Sequence, residues 1–136
     1  MPKVGHVLET ALYVDDISRA KEFYLQHFDL SLIHTDARMC AFAAGSTVLL
    51  MFQRGESLKP VEMPGGVIPP HNGAGPLHVA FAIAAEDLPA WERKLDHGGI
   101  KIESRVLWPL GGQSIYLRDP DGHLVELATP GLWPNY

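Results

Sequence analysis

Hydrophobic and polar positions alternate along this chain with two different periods. Leu8 to Val14 (LETALYV) is rich in β-formers and free of breakers, which predicts a strand. Asp15-Asp16 follows, where a short carboxylate can accept the orphan amides of a first helical turn. Ile17, Ala20, Phe23, Tyr24 and Phe28 then recur at helical spacing on one face, with Arg19, Lys21, Glu22 and Gln26 on the other. Asp29 stands near the helix end, where glycine would adopt left-handed backbone more easily. Three short strands are predicted next, at Ser31 to Thr35, Arg38 to Ala43 and Thr47 to Gln53, with Ala44-Gly45-Ser46 as the last turn.

From Arg54 to Gly75 the periodicity breaks. Pro60, Pro64, Pro69 and Pro70 alternate with Gly65, Gly66, Gly73 and Gly75, which predicts a long loop of functional or linking character. The first pattern then returns. Pro76 to Ala84 predicts a strand and Glu86 to His97 a helix, with Pro89 in its first turn and Gly98-Gly99 as its stop. Lys101 to Trp108, Gln113 to Arg118 and His123 to Ala128 predict three strands, the last two joined by the turn Asp119-Pro120-Asp121-Gly122.

The order of elements is therefore βαβββ written twice. Leu12 and Val14 correspond to Phe81 and Ile83, and Ile17, Ala20 and Tyr24 to Leu88, Trp91 and Leu95. The expected fold is α+β. Two tandem βαβββ modules, one over about residues 5–55 and one over about 76–130, form curled mixed sheets around a cavity within a single domain spanning 1–136. A tail over 130–136 ends in Trp133 and Tyr136 and should pack on the body or on a partner.

Composition narrows the function classes. The chain has 136 residues, 46% hydrophobic and 20% charged, with a net charge of -5 and no basic block. Wrapping a nucleic-acid backbone needs clustered Lys and Arg, so that partner is disfavoured. No apolar run approaches the roughly 20 residues of a membrane helix. The start Met1-Pro2-Lys3-Val4-Gly5-His6 lacks the apolar core of a signal peptide, and Cys40 is the only cysteine, which together point to the cytoplasm.

Two runs carry a resemblance. Glu9-Thr10-Ala11-Leu12-Tyr13-Val14-Asp15-Asp16 with Ala20 and Phe23-Tyr24, and His78-Val79-Ala80-Phe81 with Asp87-Leu88 and Trp91, resemble the two module openings of the vicinal-oxygen-chelate superfamily. Gly112 to Leu127, with Ser114-Ile115-Tyr116 and Asp119-Pro120-Asp121-Gly122-His123, resembles its closing hairpin and is the most specific part. The superfamily includes glyoxalase I, the bleomycin-resistance proteins, extradiol dioxygenases and fosfomycin thiol transferases. The resemblance implies metal ligands on the first and last strands of each module, which here fall at Glu9, Leu49, His78 and Glu126. Leu49 cannot ligate, so at most three ligands remain. It also implies a homodimer acting on a small molecule.

Two carboxylates and one imidazole form a borderline-to-hard set suited to one divalent Mn, Fe, Co, Ni or Zn ion. Either Glu9 or Glu126 can alternatively act as a base, provided it reaches the proton it removes. Tyr116 and Ser114 share a strand face, and Tyr116 matches a pocket tyrosine of the thiol transferases. Each candidate also has an ordinary structural reading. Glu9 can be a solvent-facing strand residue, His78 a satisfied interior histidine, and Tyr116 a core residue. Among the remaining histidines, His123 sits in a turn and is expected to be exposed, and His71 lies in the long loop.

The leading expectation is a divalent-metal-dependent enzyme of glyoxalase or dioxygenase type acting on a small oxygen-rich or thiol-conjugated molecule. Its rival is a metal-free binding protein of bleomycin-resistance type. A third reading has Glu9, His78 and Glu126 pointing apart. Phosphonate-binding thiol transferases place a cation soon after the last glutamate, and Leu127 to Tyr136 contains no Lys or Arg, which argues against fosfomycin.

Overall fold

A computed structural model describes all 136 residues. The chain divides into two compact units, Met1–Gly75 and Pro76–Tyr136. No helix is long and apolar enough to cross a membrane.

In the first unit β1 (Glu9–Val14) is followed by α1 (Ile17–Phe28), β2 (Ser31–Thr35), β3 (Met39–Ala44) and β4 (Thr47–Gln53). The four strands form one mixed sheet in the order β1-β4-β3-β2, with β1 parallel to β4 and the other pairs antiparallel. Asp16 caps α1, its carboxylate accepting from the Ser18 and Arg19 amides at 3.0 and 3.1 Å. Asp29 ends the helix at φ 52°, taking the left-handed conformation itself. Ala20, Tyr24 and Phe28 bury the apolar stripe of α1, which packs on β3 and β4. With Leu12, Val14, Phe42, Leu49 and Met51 they make this unit's core.

The second unit repeats the plan. β7 (His78–Ala82) leads through a 3-10 turn (Ala85–Asp87) into α2 (Leu88–His97), then β8 (Ser104–Leu107), β9 (Gln113–Arg118) and β10 (Leu124–Ala128), with sheet order β7-β10-β9-β8. Pro89 sits in the first turn of α2, where a missing N–H costs nothing. Gly99, at φ 71°, turns the chain out after it. Leu88, Leu95, Ile115, Leu117, Val125 and Leu127 form the core. The expected strand over Lys101 to Trp108 is shorter, because only Ser104–Leu107 keeps the ladder with β9. In the tail, the Tyr136 hydroxyl donates to the carbonyls of Ala128 and Ile83 at 2.8 and 3.2 Å.

The segment between the sheets is more ordered than its composition suggests. β5 (Val61–Met63) and β6 (Gly66–Ile68) pair as a small hairpin around Pro64-Gly65. Its prolines lie in the turn or beyond the strand ends, where they remove no ladder hydrogen bond. The segment then returns to β1. The His71 amide donates to the Ser57 carbonyl at 2.9 Å, and the Ser57 hydroxyl donates to the His71 carbonyl at 2.7 Å. Gly73 lies against the Tyr13 ring, so close that any β-carbon there would overlap ring carbons Cδ2 and Cε2. Gly73→Ala should therefore destabilise the chain by about 1–3 kcal/mol, the usual range for overpacking. Urea unfolding checks this, and an unchanged midpoint would mean that the segment does not seat on Tyr13.

Candidate metal centre

The parallel pairs β1–β4 and β7–β10 set the geometry of each unit's candidate ligands. In the first, Glu9 lies opposite Val48 and Ala11 opposite Leu50. In the second, His78 lies opposite Leu124 and Ala80 opposite Glu126. Glu9 and His78 thus hold equivalent positions, and the first-unit equivalent of Glu126 is Leu50. The expected position, Leu49, is one residue off. Its side chain points to the core and is buried. A slip of one residue in a strand changes the face. Leu50 cannot ligate either, so the limit of three ligands stands.

The second unit brings His78 and Glu126 together. His78 Nε2 lies 3.3 Å from Glu126 Oε1. The His78 side chain is 49% exposed and that of Glu126 only 6%. Small Ala80 and Ala82 share the His78 face and leave it open. On its other side, His78 Nδ1 stands 2.9 Å from the Leu124 carbonyl. A carbonyl only accepts, so Nδ1 carries a hydrogen; Nε2 presents a lone pair when the ring is neutral and a second hydrogen when it is charged. Glu126 Oε2 accepts from the Ser114 hydroxyl at 2.6 Å, and Ser114 Oγ accepts from the Trp108 indole at 2.8 Å. Nε2 and Oε1 are left facing each other, two acceptors whenever the ring is neutral.

Such a pair repels unless a positive centre lies between them. A proton makes it an ion pair; a metal makes it two-thirds of a binding site. Metal bonds of about 2.0–2.2 Å at tetrahedral or octahedral angles put neighbouring ligand atoms about 3.0–3.5 Å apart, which matches the separation. The Nδ1–carbonyl bond is the outer contact that metal-bound histidines normally make. The residues therefore fit a divalent metal.

Tyr116 lies directly across from Glu126 in the β9–β10 ladder and is partly buried. Its phenol is held above the ordinary range, first by burial, then by the negative charge of Glu126, while hydrogen bonding to Ser114 opposes the shift. It remains a hydrogen-bond donor at neutral pH.

Glu9 lies in the first unit, exposed at the start of β1. It borders a pocket of about 260 Å³ with Ala11, Tyr13, Leu50, Phe52 and His71. Loop residue His71 takes part in this pocket. Its Nδ1 is 2.6 Å from the Tyr13 hydroxyl, and its ring meets Phe52 edge-on at 4.5 Å between centroids. Neither unit by itself holds three His, Cys, Asp or Glu side chains in a metal-binding cluster. The expected ligands are thus divided, one in the first unit and two in the second.

His123 is a correction. Expected in an exposed turn, it is fully buried, and its Nδ1 accepts from the Leu77 amide at 2.8 Å. Asp119 draws it in, its carboxylate accepting from the His123 and Asp121 amides at 2.8 and 3.0 Å. No periodicity marks this residue, since its role is to satisfy one distant amide next to His78. Ser114 was legible only as sharing a strand face with Tyr116, and Trp108 only as the end of a predicted strand. Arg105 and Arg118 are engaged with Glu92 and Glu103.

Comparison with known proteins follows the geometry. A family model described as the Glyoxalase/Bleomycin resistance protein/Dioxygenase superfamily matches residues 3–127. The chain is 32% identical over 127 residues to metallothiol transferase FosB of Bacillus licheniformis, covering 93% of this chain and 74% of that protein. It is similar to the crystal structure of lactoylglutathione lyase from Agrobacterium tumefaciens, with 30% identity, a TM-score of 0.88 and coverage of 98% and 99%. A fosfomycin resistance protein, FosX of Listeria monocytogenes, shares the fold at 22% identity and a TM-score of 0.63, over 95% of this chain and 93% of that one. These likenesses support a metal-dependent enzyme of thiol-transferase or glyoxalase type.

Two outcomes are expected. His123→Leu leaves the Leu77 amide unsatisfied and should cost about 1–3 kcal/mol, read by chemical denaturation; no loss would mean that this amide finds another partner. The Cys40 thiol is buried and pushed up to about 11, so it stays protonated at pH 8. A thiol reagent should label it only after unfolding, and rapid native labelling would contradict its burial.

Proposed function

Because the chain belongs to the Glyoxalase/Bleomycin resistance protein/Dioxygenase superfamily, we propose that it is a divalent-metal-dependent enzyme using Glu9, His78 and Glu126 as its ligand set. Its substrate is a small oxygen-rich or thiol-conjugated molecule. The observation carrying this reading is His78 Nε2 facing Glu126 Oε1 at 3.3 Å, with His78 Nδ1 at the Leu124 carbonyl and Glu126 Oε2 at the Ser114 hydroxyl.

One imidazole and two carboxylates suit Mn, Fe, Co, Ni or Zn. The metal supplies Lewis acidity toward an oxygen-bearing substrate. The chain's own groups do the rest. Tyr116 offers a hydroxyl on the Glu126 face, placed to orient a substrate oxygen. Glu9, exposed beside its pocket, is the third ligand and the carboxylate best placed to accept a substrate proton when unbound. Open space around Ala80 and Ala82 admits a small substrate, and the absence of Lys or Arg from Leu127 to Tyr136 disfavours a phosphonate. A second copy of the chain is the proposed partner, and the cytoplasm the proposed compartment.

The test is metal-depleted protein titrated with each of the five metals, followed by elemental analysis. One equivalent should bind. His78→Ala and Glu126→Ala should each weaken binding by more than the about 10–100-fold that outer contacts are worth, and Glu9→Ala should weaken it too. Failure of all five metals to bind would remove the enzyme reading and leave a metal-free binding protein. Sedimentation measures the dimer. With metal loaded, the hemithioacetal of methylglyoxal and glutathione, a thiol with an epoxide, and a catechol test the three reaction types, and fosfomycin should be a poor acceptor.

A further inference from the structure

Trp108, Ser114 and Glu126 form a chain of hydrogen bonds whose direction is fixed by chemistry. An indole N–H only donates, so Ser114 Oγ accepts from Trp108 at 2.8 Å. The serine has one hydrogen left. An ionised carboxylate only accepts, so that hydrogen goes to Glu126 Oε2, at 2.6 Å. Every member then has one orientation, and the carboxylate plane cannot rotate without breaking a short bond in a buried setting. Ser114 is 1% exposed.

The backbone holds the chain's outer end with equal care. The turn after β8 is closed by Trp108 N–H to the Gly112 carbonyl at 2.8 Å and Gly111 N–H to the Trp108 carbonyl at 2.9 Å. Gly112 and Gly131 approach so closely that a β-carbon on either would come within 2.6 Å of the other's backbone. The Gln113 amide donates to Thr129 Oγ1 at 2.8 Å, locking β9 to the end of β10. The indole is thus a built support. The first unit has nothing comparable, since Leu50 stands where Glu126 would be.

We propose that Ser114 and Trp108 are positioning residues for the metal, committing Glu126 Oε2 so that the carboxylate meets the cation through Oε1 alone, beside His78. This rests on the metal-dependent reading above. It assigns Ser114 a task distinct from substrate contact, and it makes the Trp108 indole a reporter, because a cation drawing charge from Glu126 alters both hydrogen bonds behind it.

The test uses the full chain with Zn²⁺, in competition with a chelator of known affinity, while the ¹H–¹⁵N indole resonances are followed. Trp108→Phe assigns its own resonance apart from those of Trp91 and Trp133. Ser114→Ala should weaken Zn²⁺ binding by about 10–100-fold, Trp108→Phe by less, and Ser114→Thr should restore most of the loss by returning the hydroxyl. In the unaltered chain Zn²⁺ should shift the Trp108 resonance, and Ser114→Ala should abolish that shift. Circular dichroism confirms that each variant is folded. Should Ser114→Ala be unfolded, Trp108→Phe decides alone. Folded variants binding Zn²⁺ as tightly as the unaltered chain, or more tightly, overturn the positioning role while leaving the metal reading intact. An unaltered chain that binds no Zn²⁺ or any other of the five metals overturns both.

Discussion

An imidazole nitrogen facing a carboxylate oxygen organises the second unit. His78 Nε2 and Glu126 Oε1 sit 3.3 Å apart, each turned to the other because the opposite end of its side chain is spoken for. The Leu124 carbonyl holds the hydrogen of one, and the Ser114 hydroxyl holds the outer oxygen of the other. Leaving such a pair bare in a half-buried site is costly. Much of the surrounding structure keeps it in place: the parallel β7–β10 register, the Asp119–Gly122 turn that starts β10, and buried His123 holding the amide just before His78.

The two units are unequal versions of one plan. The same ladder that puts Glu126 opposite Ala80 puts Leu50 opposite Ala11. The first unit therefore keeps one carboxylate, Glu9, and builds an aromatic pocket around it from Tyr13, Phe52 and His71. At the positions equivalent to Tyr13 and Phe52 the second unit has Ala82 and Ala128, which leave space on the His78 face.

The expected elements correspond to the observed ones wherever hydrophobic period decides. Strands Ser31–Thr35, Thr47–Gln53 and Gln113–Arg118 have the bounds their patterns imply, and Asp16 caps α1 as its side chain allows. The hairpin within 54–75 was hidden because its strands are three residues long and proline-flanked, too short for any period to register.

What the sequence determined by itself was local and repetitive: two βαβββ modules, the amphipathic faces of α1 and α2, and the candidacy of Glu9, His78, Glu126 and Tyr116. These depend on neighbours a few residues away and on the motif around Asp119–His123. Only tertiary structure decided that Leu50 rather than Leu49 matches Glu126, because strand register is set between strands. It alone buried His123, since the amide that histidine satisfies lies 46 residues away. It also joined Trp108, Ser114 and Glu126 into one directed chain, because a hydrogen bond exists only where folding brings donor and acceptor within about 3 Å.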